Sequence, residues 1–290
     1  MSEQNIDLNT AEQQKHNILI KSIQVLTGPW NKRNLMEWIF VIGSILILKG
    51  CVIDQYLIPT GSMEPTLIGG NLITGDRVLV NKWIYGIRIP FTTIRLYTWS
   101  HPKRWDIVVF KTIEKNAKHK TLIKRVVGLP GETVKINHGK IEINGKQIQP
   151  PKTMPQNIYY INDIDLVIQY ETNPDPKVKK IIEEMRENYP LRYGCSDEKT
   201  YSTIPDKHYF LLGDNSINSV DSRMYGWVPE NHIIGRAFAI WWPIQRWRDF
   251  TGFSKSWWGI VFLYGTQIVI VLIIIRYMYH YRKRTINTQK

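Results

Sequence analysis

The chain has 290 residues, 43% of them hydrophobic and 22% charged, and its 38 basic against 25 acidic residues leave a net charge of +13. That apolar content is ample for one large core or two modest ones and excludes a disordered or fibrous chain. The basic residues are spread along the sequence without zinc-finger spacing, a basic zipper or an aromatic RNA-binding signature, which argues against a nucleic-acid partner.

The first element is apolar. Leu35–Trp38 leads into Ile39–Leu48, and after Lys49 and Gly50 the apolar character resumes through Cys51-Val52-Ile53. A membrane helix needs roughly 20 mostly apolar residues, so the reading is a cytoplasmic segment 1–34 followed by a transmembrane helix over 35–53, with Glu37 and Lys49 near enough to its ends to reach the interface. No small-x-small cleavage site follows, so an uncleaved anchor is expected rather than a removed secretion signal.

Directly beyond it stands Ile58-Pro59-Thr60-Gly61-Ser62-Met63-Glu64-Pro65-Thr66-Leu67. A Gly-Ser pair after a proline is ordinarily just a turn. A serine so close to the outer end of an anchor is nonetheless fixed in depth, and the surrounding Gly and Pro permit the close backbone approach of an acyl-transfer site. Its hydroxyl is a weak nucleophile at neutral pH and needs a neighbouring base.

Short β-type runs follow at Arg77–Lys82, Asp106–Phe110, Thr121–Val127 and Thr133–Ile136, separated by Gly, Pro and Asn, which indicates a mainly β domain. Ile141–Ile148 reads as a hairpin with a type I′ turn at Asn144-Gly145. In the third run, Lys124 shares a strand face with Leu122 and Val126, whereas Ile123, Arg125 and Val127 occupy the other. Both faces are mixed, so a solvent-facing lysine and a buried one both stay open; a buried one can lose up to about 3–5 pKa units and serve as a neutral base.

From Pro150 to Asp206 the chain turns polar and proline-bearing, an insertion (150–206) with one helix expected over Lys177–Asn188, where Val178, Ile181, Ile182 and Met185 fall at helical spacing. The β pattern resumes at His208–Gly213 and Ile233–Ile240. Between them, Gly213-Asp214-Asn215-Ser216-Ile217-Asn218-Ser219-Val220-Asp221-Ser222-Arg223 is either a solvated or calcium-binding loop, although the regular EF-hand spacing is missing, or a scaffold in which an Asp221–Arg223 pair braces a catalytic group.

A second transmembrane helix is read over 257–279, with Trp257 and Trp258 at its start and Ile268–Ile275 within it, before a basic tail 280–290. Lys32 and Arg33 precede the first span, and Arg276, Arg282, Lys283 and Arg284 follow or end the second. Positive charge outside both predicts cytoplasmic termini and an exoplasmic catalytic domain at 54–256. The clustered Trp241, Trp242, Trp247, Trp257 and Trp258 read as an interfacial skirt. Cys51 and Cys195 lie too far apart in role to suggest a bridge, and no H-E-x-x-H, C-x-x-C, Walker loop or G-x-S-x-G elbow is present.

Five blocks in order carry a resemblance. Pro59–Leu67, Gly75-Asp76-x-Val78-Leu79-Val80, Lys103–Phe110, Lys124–Gly131 and Gly213–Arg223 together resemble bacterial type I signal peptidase, the leader peptidase family with a serine-lysine dyad. The resemblance implies a mainly β catalytic fold with a small α/β cap insertion, here anchored by two transmembrane helices. It implies Ser62 as nucleophile, Lys124 as general base, Thr60 and the Ser62 N–H as oxyanion hole, Ser219 orienting the lysine, and Asp221 with Arg223 bracing that loop. Ile58, Met63, Leu67, Leu122 and Ile123 match positions lining shallow pockets for small side chains.

Three departures stand out. Trp105 occupies a place where a small residue is common, the cysteine pair frequent in the cap is missing, and one hydrophobic span follows the domain where the best-known members carry their anchors before it. The expectation is a membrane-bound serine endopeptidase of the cell inner membrane, multi-pass, with its catalytic domain on the periplasmic face, cleaving signal peptides of secreted preproteins after small residues without metal or organic cofactor. Its partners would be those signal peptides, the lipid bilayer and the secretion translocon. A maturation peptidase with few substrates, or a catalytically silent membrane-anchored binding protein, are the alternatives.

Overall fold

A computed structural model describes residues 31–261, except 115–118, 156–157, 163–167, 169, 189–192, 195–202 and 258. The chain divides into two compact units, Met1–Gly50 and Cys51–Lys290, each described by itself. In the first, helix α1 (Lys32–Ile47) begins where Asn34 N–H donates to the Asn31 side chain at 2.8 Å, a local cap on the first turn. Leu35, Met36, Ile39 and Phe40 are each more than half exposed on it. A π-helical turn, Leu48–Val52, follows. The span expected over 35–53 thus overlaps α1, this turn and the first residue of a strand. No helix among the described residues is long and apolar enough to cross a membrane. Most of the expected second span, everything after Val261, and Cys195 lie outside the described residues.

The large unit is built on period-two alternation. In strand β5 (Ile107–Lys111), Ile107 and Val109 enter one core while Val108 and Phe110 enter another on the opposite face, so the strand is buried on both sides. Its neighbours extend the same logic. The main sheet runs in the order β1 (Ile53–Leu57), β2 (Arg77–Asn81), β12 (Ile233–Trp242), β5, β6 (Thr121–Gly128), β10 (His208–Leu212) and β11 (Val228–Pro229), with β13 (Arg248–Asp249) also pairing with β12, and its strand pairs are antiparallel.

One core gathers Ile58, Met63, Leu67, Val78, Val80, Ile107, Val109 and Ile240, and fixes the segment that carries Ser62 against the sheet. The other, with Tyr85, Val108, Phe110, Val126, Tyr209 and Ile233, covers the reverse face. A small two-stranded ribbon, β3 (Ile87–Arg88) with β4 (Arg95–Tyr97), is held to this second core by Arg88 and Arg95, which donate to Ile233 O at 3.0 and 2.8 Å.

A second sheet orders β7 (Val134–Asn137), β8 (Lys140–Ile143) and β9 (Lys146–Ile148). The β8–β9 turn has Asn144 at φ 51 and Gly145 at φ 77, both left-handed as a type I′ turn requires. Val134, Ile136, Ile141 and Ile143 pack there with Val127, Phe210 and Leu212 of the main sheet. Helix α2 (Pro176–Asn188) sets Ile182 and Val178 against Ile161 and Met224.

Candidate active site

Ser62 lies in a single 3-10 turn, Gly61–Met63, whose extended preceding residue is Thr60. Met63 and Leu67, both fully buried, root the turn in the core. On the other side, Asn215 clamps its backbone: the Asn215 amide N–H donates to Ser62 O at 3.1 Å and its side-chain Nδ2 donates to Gly61 O at 3.1 Å. Gly213 is needed for this approach, because a Cβ there would fall 2.6 Å from Ser62 O and 2.1 Å from Ser219 Oγ.

Lys124, from β6, reaches the same point. Its Nζ donates to Ser62 Oγ at 2.7 Å, and this is its one hydrogen bond among the described residues. The side chain is 3% exposed, flanked along its strand face by Leu122 and Val126 of the reverse core. Burial pulls its pKa down from 10.5 to about 8, the carboxylates of Asp221 and Asp214 resisting and Arg223 assisting. Of the two readings left open by periodicity, the buried one is observed.

The acid-rich loop encloses the pair. Asp221 takes both guanidinium arms of Arg223, from Nε at 2.9 Å and Nη2 at 2.9 Å, and also accepts from Ser219 Oγ at 2.8 Å and Gly213 N at 3.0 Å. Arg223, itself fully buried, continues to Ser216 Oγ at 2.6 Å and Ile161 O at 3.0 Å, which ties the loop to the insertion. Asp214 pairs with Arg125 through Nε at 2.7 Å and Nη2 at 2.5 Å, and accepts from Thr66 Oγ1 and, at 3.3 Å, from Tyr160. Each carboxylate of the loop therefore faces an arginine. Of the solvated, calcium-binding and scaffold readings, this is the scaffold arrangement; among the described residues no cluster of metal-ligating side chains is present.

With this geometry in hand, comparison with known proteins is decisive. The family model for signal peptidase, peptidase S26, matches residues 32–242. This chain belongs to that family. The signal peptidase I of Pseudomonas aeruginosa is 34% identical over 229 residues, 74% of each chain, and that of Buchnera aphidicola subsp. Schizaphis graminum is 33% identical over 233 residues, 70% of this chain and 72% of the relative. A crystal structure of a signal peptidase I from Enterococcus faecalis V583 is 25% identical, with a TM-score of 0.29, covering 47% of this chain and 97% of that one. The chain is accordingly an enzyme, a serine protease of the signal peptidase I class, and its mainly β domain is signal-peptidase-like.

Thr60, Ile58, Leu122 and Ile123 line a narrow cleft of about 60 Å³ together with Ser62 and Lys124. Met63 and Leu67 do not line it; they are core residues beneath the nucleophile turn. Ser219 hydrogen-bonds Asp221 rather than Lys124. The Thr60 hydroxyl makes no hydrogen bond among the described residues.

Sequence reasoning missed the cleft residues Tyr56, Leu57, His119 and Thr121, which no motif marks, and Val109, which stands inside a quoted block. It also passed over Thr66, Arg125, Asp214 and Asn215, although all four stand inside the quoted blocks. Trp105 now has a physical account. Its φ is 72°, left-handed backbone that favours glycine, so the small residue common at this place is explained by conformation and this peptidase carries tryptophan there at a cost of about 1–2 kcal/mol.

Proposed function

We propose that this chain is a membrane-bound endopeptidase that removes N-terminal signal peptides from secreted preproteins, cutting after small residues with a Ser62/Lys124 dyad. The observation that carries the reading is the 2.7 Å contact between Lys124 Nζ and Ser62 Oγ inside a site that lowers the lysine to about 8. A lysine so desolvated is neutral in an appreciable fraction of molecules near neutral pH, and a neutral amine can accept the serine proton.

In this mechanism Lys124 takes the Ser62 proton as Oγ attacks the scissile carbonyl. The oxyanion is held by the Ser62 N–H and the Thr60 hydroxyl, whose lack of another partner supports the assignment. The C–N bond then breaks, the amine leaving with the proton from Lys124, and an acyl-enzyme remains. Lys124 next takes a proton from water, which attacks the ester carbonyl; the proton returns to Ser62 as the signal peptide departs. Ser219, Asp221 and Arg223 act on this dyad indirectly, by holding Gly213 and Asn215 against the nucleophile turn.

Two features support the substrate. The cleft of about 60 Å³ at Ser62, bounded by Ile58, Leu122 and Ile123, suits a small apolar side chain. Among the described residues the edge of β6 also stays open beside the proposed dyad, because β10 pairs with β6 only from Arg125 onwards and leaves Thr121–Lys124 partnered by β5. An extended peptide can add there as a strand, its backbone hydrogen bonds giving affinity and the cleft giving selectivity. Membrane anchoring by spans over 35–53 and 257–279, a periplasmic domain, and partnership with the bilayer and the secretion translocon belong to the same proposal, supported by the apolar runs and the flanking basic residues.

The test is to purify the full chain in detergent and incubate it with several preproteins. The parent should release mature proteins, and Ser62→Ala and Lys124→Ala should each lose turnover to background while keeping the parental circular dichroism, because nucleophile and base act as a unit. Lys124→Arg should fail as well, since a guanidinium keeps its proton. Cleavage of only one preprotein would favour the specialised maturation enzyme, and substantial turnover by either alanine variant would end the dyad assignment.

A further inference from the structure

Trp105 borders a second cavity, of about 380 Å³, that shares no lining residue with the cleft at Ser62. Four arginines reach it: Arg104, Arg125, Arg236 and Arg248. Two of them are spent, Arg104 on Glu132 and the carbonyl of Val127, and Arg125 on Asp214. The acidic residues of the lining are spent too. Asp106 accepts from Tyr85 at 3.1 Å, Lys103 N at 3.0 Å and Arg236 Nη1 at 3.3 Å. Asp249 accepts from the backbone and hydroxyl of both Thr251 and Ser254, between 2.6 and 3.2 Å.

What is left over is donor capacity. Arg236 Nε is buried with no hydrogen-bond partner among the described residues, and leaving such a donor dry is costly. Among the described residues Arg248 pairs with no carboxylate; its hydrogen bond is to the carbonyl of Thr153 at 2.7 Å, and its guanidinium lies 5.7 Å from the Phe250 ring centre. The formal charges balance, since Arg236 pairs with Asp106 and the lining also holds Asp249, but the spare hydrogen-bonding capacity is donating, in a space bounded by the apolar bodies of Trp105, Phe250 and Met154 and within the volume range of small-molecule sites.

We infer that this cavity is a binding site for a phosphate ester, gripped by Arg236 and Arg248 with Trp105 and Phe250 beside its organic part. Arg236 lies on β12 and Arg248 on β13, where Arg248 stands opposite Ile240, four positions along β12 from Arg236, and both side chains line the cavity. A tetrahedral phosphate presents acceptors in several directions and can take hydrogen bonds from both guanidiniums at once. The ester could be the headgroup of an anionic phospholipid or a soluble phosphate, and the two are told apart by the probe.

The full chain in neutral detergent is titrated with glycerol phosphate, and separately with bicelles of phosphatidylglycerol or of phosphatidylcholine, following the melting temperature and the ³¹P line width. Saturable stabilisation by glycerol phosphate, competing with phosphatidylglycerol, identifies a soluble ester as sufficient; stabilisation by phosphatidylglycerol bicelles alone identifies the lipid headgroup. In either case Arg248→Gln, a substitution at an exposed side chain, should weaken binding by about tenfold to a hundredfold, and Arg236→Lys should weaken it while keeping the charge, because it removes Nε. No stabilisation by either anionic probe, equal stabilisation by phosphatidylcholine, or binding unchanged in both variants overturns the site.

Discussion

At the scale of single residues, the proposed chemistry rests on how one amine is kept uncharged. The fall of Lys124 from 10.5 to about 8 has burial as its largest cause. At about 1.4 kcal/mol for each tenfold, holding this ammonium in the fold at neutral pH costs roughly 3 kcal/mol. Two outcomes follow with definite sign. Turnover at low substrate should climb about tenfold per pH unit up to about 8 and level off above it, whereas a lysine at 10.5 would keep the profile rising to about 10. Stability should move the same way: between about 8 and 10.5 the unfolded chain holds a proton that the folded chain has released, so folding is favoured as pH rises, and below about 8 the full cost is present. Lys124→Met should therefore melt higher than the parent at pH 6.5, with the gap shrinking by pH 10; an equal gap at both would refute the buried-amine account. Thr60→Val tests the oxyanion assignment. It should lower turnover on the order of 10²–10³-fold with little change in KM, while Thr60→Ser retains most activity, and a fully active valine variant would make Thr60 a wall of the cleft only. The sequence could propose Lys124 from its motif but not show its burial, since the atoms that desolvate it come from the turn at Ser62 and the loop at Asp214–Asp221.

Among the elements, β12 has to bend. Its register slips between Ile233 and Gly235 against β5 and between Ala237 and Ala239 against β2, the bulges that let one long strand serve both neighbours. At Gly235 a Cβ would sit 2.5 Å from the carbonyl oxygen of Asn81, a contact with backbone that cannot rotate away. Gly235→Ala should cost roughly 1–3 kcal/mol, read as a lower melting temperature and urea midpoint with an unchanged m-value; parental stability would show that β2 and β12 have room to part. Elements with strong local signals were legible in advance: the strands at 77–81, 107–111 and 121–128, the Asn144-Gly145 hairpin and the helix at 176–188. Strand β1 was not, because Ile53–Leu57 directly follows the apolar run and its Ile-Asp-Gln-Tyr-Leu order shows no clean alternation of apolar and polar residues. The two- and three-residue strands β3 and β4 fall below the length at which alternation can be seen.

For the whole molecule, the open question is orientation. Basic residues flank both apolar runs on the sides away from the catalytic domain. Reporter fusions at Lys290 and within 150–206 should therefore report opposite sides of the membrane, the insertion outside and the C-terminus in the cytoplasm; the same side for both would sink the two-span arrangement. Family and fold class were legible because five blocks recur in order, each tied to a strand or turn of the main sheet. Their meeting in space was not, since the nucleophile turn, β6 and the 213–223 loop are joined only by tertiary contacts such as Arg125–Asp214 and Asn215–Ser62. That interlock also sets a timetable for biosynthesis. Ser62 and Lys124 are both made early, but the residues that clamp the turn and face the lysine arrive only with Gly213–Arg223, and β12, which joins β2 to β5, later still. On the proposed mechanism, a nascent chain that has passed residue 124 has made its nucleophile and base without the means to align them. The same proposal predicts that a chain truncated before Gly213 cleaves neither itself nor added preproteins.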